Sequence, residues 1–260
     1  SNITEATQEL VERFNQRALK PRYSILYIDA TFTKIRRSTV SSEAVYLVLG
    51  IDEDGKREIL SYCITPHESS EIWKDVFEDL KNRGVKEVLL GVMDGLKGLD
   101  ESFLSYFPRA DIQRCTVHKH RNLLAHAPKH MQEELTEDYR DMIYADSAAE
   151  IETRRKAFLR KWKLKCRAVA DSLEEAGDRL FSFTRLDPSQ WKSARTTNAI
   201  ERLNEEFRRR IKTQTMLPCA ETVPMLFWAL LASGQIQMRK VDGWETLSQP
   251  LEPMSLDLAA

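Results

Sequence analysis

Two acidic residues lie at the ends of apolar segments, where they could bind a metal ion. Asp29 interrupts the apolar run YSILYIDATF at 23–32, and Asp94 directly follows KEVLLGVM at 86–93. An ionised carboxylate is costly to bury unless it is paired, hydrogen-bonded or bound to metal. The alternatives are an acid held by backbone N–H groups at Asp29 and an ordinary turn residue at Asp94. If the two segments are neighbouring strands, their carboxyl ends could bring both acids together.

A third acid, Glu201, lies in the segment RTTNAIERLNEEFRRRIK at 195–212. Apolar residues recur here at helical spacing, and Glu201 and Asn204 fall on one shoulder of that buried stripe. Alternatively, Asn198 caps the helix and Glu201 completes a capping box three residues later. Three convergent acids would suit Mg²⁺, and two such ions about 4 Å apart support phosphoryl transfer.

The elements that would position these acids follow the order β-β-β-α-β-α-β and then continue as helices. Two hairpin connections followed by crossovers predict an α/β fold with a mixed five-stranded sheet and helices on both faces. This order is typical of a ribonuclease H-like fold, whereas a flavodoxin-like fold would alternate from its first strand. The predicted strands are 24–32, 43–51, 57–64, 86–93 and 111–117, and the predicted helices are 4–19, 68–83, 100–107, several within 118–185, 197–212 and one ending near 239. We expect the tail at 248–260 to be loose.

The overall composition does not indicate a nucleic-acid partner, but the charge is segregated along the chain. The 260 residues have a formal net charge of −1 and are 42% hydrophobic. Eight Lys or Arg and no acid occur at 153–168, whereas eight acids and one Arg occur at 132–152. The basic run includes Trp162, which suits a phosphate backbone and a stacked base, although a solvated helix with one anchoring Trp is the alternative.

The remaining composition favours a cytoplasmic protein without a membrane segment. Four cysteines without a CxxC pair suit a reducing compartment. No apolar stretch approaches the ~18 residues of a membrane span, and the N-terminus lacks the features of a signal peptide. Because the chain begins at Ser1, we expect it to be a fragment that lacks an upstream domain.

The chain resembles the mutator-type family of bacterial insertion-sequence transposases, which carry a DDE catalytic triad. Four ordered motifs carry the resemblance, which covers about 21–240: YIDATFTKIRR (27–37), GVMDGLKGL (91–99), RCTVHKHRN (114–122) and WKSARTTNAIERLNEEFRRR (191–210). The resemblance implies that Asp29, Asp94 and Glu201 form the triad, and that two Mg²⁺ or Mn²⁺ ions bind there. It also implies the ribonuclease H-like fold of the retroviral integrase superfamily, with an all-helical insertion before the catalytic glutamate.

The expected activity is metal-dependent cleavage at transposon ends, followed by attack of a DNA 3′-OH on another duplex. The partners would be double-stranded DNA, at the transposon ends and at the target, and further copies of the chain as a homodimer or larger assembly. The location would be the bacterial cytoplasm, at the nucleoid. The alternatives are another ribonuclease H-like nuclease, such as a junction resolvase, and a non-catalytic DNA-binding or assembly module from a domesticated element.

Further residues are predicted to support the site or to contact DNA. The family's C-x2-H element matches Cys115 and His118, which we place beside the active site in preference to a structural zinc. Asn198 and Asn204 are the other predicted supporting residues. The predicted DNA contacts are Lys34, Arg36, Arg121, Arg154, Arg155, Lys161, Trp162, Trp191, Arg195, Arg208, Arg209 and Arg210.

The predicted organisation divides the core into two parts. The divisions are an N-terminal helix and linker from a missing DNA-binding region (1–20), the first part of the core (21–125), the helical insertion (126–188), the second part of the core with the Glu201 helix (189–240) and a C-terminal tail (241–260).

Overall fold

A mixed five-stranded sheet forms the centre of the protein. The computed structural model describes residues 2–36, 40–65, 70–210, 222–234 and 238–254. The strands are β1 (Arg22–Arg36), β2 (Val40–Ile51), β3 (Arg57–Thr65), β4 (Glu87–Met93) and β5 (Asp111–Arg114). The α-helices of the described ranges are α1 (Asn2–Gln16), α2 (Ser70–Asn82), α3 (Leu99–Tyr106), α4 (Thr116–His126), α5 (Gln132–Ile143), α6 (Ala148–Lys165), α7 (Arg167–Ala176), α8 (Trp191–Ala194), α9 (Asn198–Arg210) and α10 (Thr222–Ala232).

The strand order is β3-β2-β1-β4-β5, so the predicted neighbours β1 and β4 lie side by side. β1, β2 and β3 pair antiparallel, whereas β1, β4 and β5 are parallel. The acidic turn between β2 and β3 ends at Gly55, whose φ of 73° lies in the left-handed region that glycine tolerates. The predicted mixed five-stranded α/β sheet is confirmed.

Alternation along the strands produces two apolar faces, and helices cover both. Leu26 and Ile28 of β1 point into one core with the aromatic residues of α2 and α3, chiefly Trp73, Phe77 and Phe103. Ile25 and Tyr27 point into the other core, which is filled from α4 to α9. The second core includes much of the helical insertion, so the insertion packs on the sheet side that also receives α9.

Several predicted boundaries differ from the structure; for example, the strand predicted at 111–117 ends at Arg114, because α4 begins at Thr116. β1 is longer than predicted, because its second half pairs with β2 beyond the last residue that pairs with β4. The last predicted helix ends at Ala232, and 235–237 lie outside the described residues. The prediction of a loose tail is wrong for 248–254: Glu252 donates its N–H to the Arg185 carbonyl at 3.0 Å, and Leu251 packs against the core.

None of the helices in the described ranges is both long and apolar enough to cross a bilayer.

Candidate active site

Asp29, Asp94 and Cys115 lie side by side, at the points where the parallel pairing of β1, β4 and β5 ends. Ile28 of β1 lies opposite Met93 of β4, so Asp29 and Asp94 are the next residues of each strand. Cys115 follows β5 and donates its N–H to the Met93 carbonyl at 2.7 Å. Asp29 is held on its other side as well, because it pairs with Leu47 of β2. The sheet therefore fixes the backbone of Asp29 on both sides.

The segment before α9 is attached over this strand edge by hydrogen bonds. Tyr27, two residues before Asp29 on the same face, donates its hydroxyl to the Ser193 carbonyl at 2.9 Å. Thr116 donates its N–H to the Arg195 carbonyl at 3.0 Å. Thr197 points its N–H and hydroxyl at the Cys115 sulfur, at 3.4 and 3.5 Å. These bonds place the start of α9 directly above the ends of β1 and β5.

The start of α9 determines the direction of Glu201. The helix begins at Asn198, and the Thr197 carbonyl accepts the N–H of Ile200 at 2.8 Å. Thr197 therefore precedes the helix, and the capping box between Asn198 and Glu201 is wrong because Glu201 no longer follows the cap by three residues. The Glu201 carboxylate instead forms an ion pair with Arg121 of α4 at 3.1 Å.

Burial and neighbouring acids perturb Asp29 strongly. The residue is 8% exposed, and burial is the main cause that raises its pKa to about 7. The charges of Asp94 and Glu201 raise the pKa further, whereas His118 and a hydrogen bond with Thr197 lower it. The structure thus brings the three predicted acids within electrostatic reach of one another, as the separate strand and helix positions suggested.

Cys115 and His118 lie next to the acids, at the start of α4. Hydrogen bonding with the Cys115 sulfur, and then the charges of Asp29 and Asp94, raise the pKa of His118 to about 9. Burial raises the pKa of Cys115, but His118 and Thr197 outweigh it, and the net shift is downward. A protonated His118 therefore offsets part of the negative charge of the three acids at neutral pH.

The donor set suits a hard divalent cation, although the carboxylates stand apart. Carboxylate oxygens are the ligands that Mg²⁺ and Mn²⁺ prefer, and a buried carboxylate with a raised pKa lacks the countercharge that a cation supplies. Across the described ranges, no three His, Cys, Asp or Glu side chains are gathered closely enough to hold one ion. Mutual repulsion and the pairing of Glu201 with Arg121 are physical reasons for this open arrangement.

The two predicted supporting asparagines differ in environment. Asn204 is buried at 6% exposure on the inner side of α9, whereas Asn198 is exposed at its start. Thr197 is a residue of this site that the sequence reasoning missed. The sequence feature that could have identified Thr197 is its position directly before the motif NAIERLN.

Three residues that were predicted to contact DNA are instead buried in the helical insertion or paired with other residues of it. Trp162 is fully buried, and its indole donates to the Asp138 carboxylate at 2.9 Å. Arg155 is also buried. Lys161 forms ion pairs with Asp138 and Glu134 at 2.7 and 2.8 Å. A buried indole cannot stack on a base, so the DNA assignment of Trp162 is wrong, and burial argues against Arg155 in the same way.

The other predicted DNA contacts fall into three groups. Trp191 is buried and donates to the Leu186 carbonyl at 2.9 Å, so its DNA assignment is wrong for the same reason as that of Trp162. Arg195 stacks on Tyr144, with 4.0 Å between its guanidinium carbon and the ring centre. Arg121, Arg154 and Arg209 reach the surface in ion pairs with acids of the chain. The side chains of Lys34, Arg36, Arg208 and Arg210 lie outside the described residues.

Curated relatives match most of this chain. The chain is 35% identical over 223 residues to the transposase for insertion sequence element IS905 of Lactococcus lactis, covering 86% of this chain and 57% of that protein. It is 35% identical over 231 residues to the transposase for ISRM5 of Rhizobium meliloti, covering 88% and 58%. It is 31% identical over 242 residues to the transposase for IS256 in transposon Tn4001 of Staphylococcus aureus, covering 89% and 60%.

The chain therefore spans less than two thirds of the length of these relatives. A family model described as transposase, Mutator family, matches residues 1–240, which include both aspartates, the C-x2-H element and the whole of α9. The strand edge and the helix that covers it thus lie within the matched region, and the chain belongs to the Mutator family of transposases.

Proposed function

We propose that this chain is the catalytic part of an insertion-sequence transposase of the DDE type, with a ribonuclease H-like fold. The proposal is supported chiefly by Asp29 and Asp94 following neighbouring strands at one sheet edge, with the pKa of Asp29 raised by burial and by the charges of Asp94 and Glu201. The names of the relatives and the family match support the transposase role.

In the proposed mechanism the three carboxylates hold two Mg²⁺ or Mn²⁺ ions. When bound, these ions supply positive charge to the phosphate and to the attacking and leaving oxygens. Asp29 and Asp94 would contribute ligands fixed by the sheet, and Glu201, which pairs with Arg121 in this structure, would be the third ligand. Arg121 would then be available to contact a phosphate of the DNA strand.

The proposed reactions are two displacements at phosphorus. In cleavage, a water oxygen bonds to the scissile phosphorus and the bond to the 3′-oxygen breaks, leaving a 3′-OH and a 5′-phosphate. In strand transfer, that 3′-OH bonds to a phosphorus of a second duplex and releases a new 3′-OH there. Each step exchanges one P–O bond for another, so no oxidant or reductant is required. We further propose that the DNA complex contains two or more copies of the chain.

The experiment measures nicking of a plasmid that carries the element ends, in Mg²⁺ or Mn²⁺, with a second duplex present to detect joined products. We expect Asp29→Asn, Asp94→Asn and Glu201→Gln each to reduce nicking by ~10²–10³-fold, the scale for losing one charged partner of a transition state. Glu205→Gln is the matched control, because Glu205 is exposed one turn further along α9.

Two outcomes would contradict the proposal. Full nicking by Asp29→Asn or Glu201→Gln would show that the triad is wrongly assigned. Nicked products without joined products would favour a nuclease such as a junction resolvase. Titration of the protein with Mn²⁺ in a calorimeter, compared with Asp29→Asn, tests the metal site without relying on activity.

A further inference from the structure

A second charged cluster lies beside Asp94 and takes no part in the triad. Arg114, Lys119 and Glu175 form this cluster. Together with Asp94 and His118, they line a cavity of about 390 Å³. Arg114 ends β5, Lys119 belongs to α4 and Glu175 belongs to α7. The cluster therefore joins the sheet edge to the helical insertion.

Two buried cations share a single carboxylate in this cluster. Arg114 Nη1 lies 2.7 Å from Glu175 Oε1, and Lys119 Nζ lies 3.0 Å from Glu175 Oε2. The side chains of Arg114 and Lys119 are 13% and 4% exposed, whereas that of Glu175 is 61% exposed. The two cationic side chains are therefore largely enclosed by the protein, whereas the carboxylate that they share is exposed to solvent.

The cation positions do not depend on Glu175 alone. Lys119 also donates to the Ser172 carbonyl at 2.7 Å, which keeps its ammonium in place. A Cβ at Gly95 would lie 1.9 Å from Arg114 Nη2, so the guanidinium rests directly on the backbone that follows Asp94. A side chain at Gly95 would displace the guanidinium from this position, which lies next to a proposed metal ligand.

The chemistry of the cluster fits a phosphate. An arginine fork with a neighbouring ammonium matches the oxygens of a phosphate diester, and buried charges are stable only when an anion accompanies them. Glu175 is the one carboxylate that forms ion pairs with both cations, while Asp94 and His118 line the same cavity. A backbone phosphate can replace Glu175 because that carboxylate is already exposed to solvent.

We propose that Arg114 and Lys119 form a binding site for a DNA backbone phosphate next to Asp94, and that Glu175 occupies this site until DNA binds. The inference rests on the proposed function, since it concerns the DNA strand that enters the same active site. It assigns the phosphate site to residues of β5 and α4 instead of the basic run of α6, whose lysines pair with acids of α5.

The test measures binding of a fluorescent duplex by anisotropy in EDTA, at several salt concentrations. Glu175→Gln removes the competing charge and keeps the shape of the side chain. We expect it to bind DNA ~3–10-fold more tightly than wild type with an unchanged slope of log K against log salt, because both proteins make the same phosphate contact once DNA is bound.

The matched control is Glu174→Gln, which makes the same charge change at the adjacent position of α7. Glu174 forms an ion pair with Lys163 at 2.8 Å and does not line the cavity. We expect its effect on affinity to stay under ~2-fold. Equal tightening by both variants would overturn the phosphate site, because a general charge effect would then suffice.

Arg114→Gln and Gly95→Ala should act in the opposite direction. Arg114→Gln should weaken binding and reduce the salt slope by ~1, and Gly95→Ala should weaken it by pushing the guanidinium away. Unchanged affinity and slope in Arg114→Gln would also overturn the site. If wild type bound no duplex at any salt concentration, both this site and the proposed function would be overturned, whereas normal binding without the Glu175 effect would overturn the site alone.

Discussion

The backbone of Asp29 is fixed by a neighbouring strand on each side. It pairs with β2 on one side and follows the last residue paired with β4 on the other. Its carboxylate is buried near two other acids, which raises its pKa to about 7. Such a residue weakens the metal-free fold and becomes favourable once a cation binds, because the cation supplies the missing charge.

We expect the metal-free protein to lose stability as pH rises from about 4 to about 7. The folded state keeps the Asp29 proton up to a pKa of about 7, whereas the unfolded chain releases it near the ordinary value of 3.8. Between these values the folded state binds more protons, so the free energy of unfolding falls with rising pH. At ~1.4 kcal/mol per pKa unit, the full effect is ~4 kcal/mol.

Urea unfolding in EDTA at several pH values, for wild type and Asp29→Asn, would measure this difference. The variant lacks the titrating group, so the gap between the two unfolding free energies should widen as pH rises. Adding Mg²⁺ should reverse the loss in wild type only. Parallel pH curves would show that Asp29 carries no perturbed charge.

Among the helices and strands, the predictions that succeeded depended on local sequence patterns. The strand order and the edge position of both aspartates could be predicted, because apolar segments and hairpin turns are local patterns. Thr197 and the Arg114–Lys119–Glu175 cluster could not, because their partners lie far apart in the chain and meet only through packing.

The basic run of α6 is a second case in which the sequence could not reveal the partners of a residue. Its Lys161 and Lys165 pair with acids of α5, chiefly Glu134. The two oppositely charged segments noted in the sequence therefore neutralise each other across a helix pair. A charge run read along the chain cannot reveal such a partner, and this is why Trp162 was wrongly assigned to DNA.

β4 leads directly into Asp94, and the packing of this strand on α3 gives a prediction at the level of single elements. A methyl group at Gly91 would lie 2.6 Å from the ring of the fully buried Phe103. Gly91→Ala should therefore destabilise the protein by ~1–3 kcal/mol through overpacking. Chemical unfolding would measure the loss, and an unchanged midpoint would show that α3 moves aside freely.

A double variant supplies the control. Phe103→Leu makes room at the same place, so Gly91→Ala should cost less in the presence of Phe103→Leu than alone. Additive effects would mean that the two residues do not contact each other.

At the scale of the whole molecule, the last described segment closes the fold. Leu247 is fully buried, and its carbonyl accepts the Ser24 hydroxyl of β1 at 2.8 Å. Val241 donates its N–H to the Gly55 carbonyl at 3.0 Å, and the Gln190 side chain donates to the Gly243 carbonyl at 2.8 Å. The segment thus joins the hairpin between β2 and β3 to the region just before α9.

We expect Leu247→Ala to destabilise the protein by ~2–5 kcal/mol, as for other leucines removed from a packed core. The control is Leu164→Ala, because Leu164 is 87% exposed on α6 and should change stability by no more than ~0.5 kcal/mol. Thermal or urea unfolding of both variants checks the contrast. Equal losses would mean that the C-terminal segment does not belong to the cooperative core.

The attachment of α9 over the strand edge has a consequence for protein synthesis. Asp29 and Asp94 leave the ribosome well before Glu201, and the hydrogen bonds that orient α9 join Tyr27 to Ser193 and Cys115 to Thr197, residues far apart in the chain. Under the proposed chemistry, a nascent or prematurely terminated chain carries only two of its three acids. An incomplete chain would therefore be unable to carry out the proposed reaction before α9 is made and attached over the strand edge.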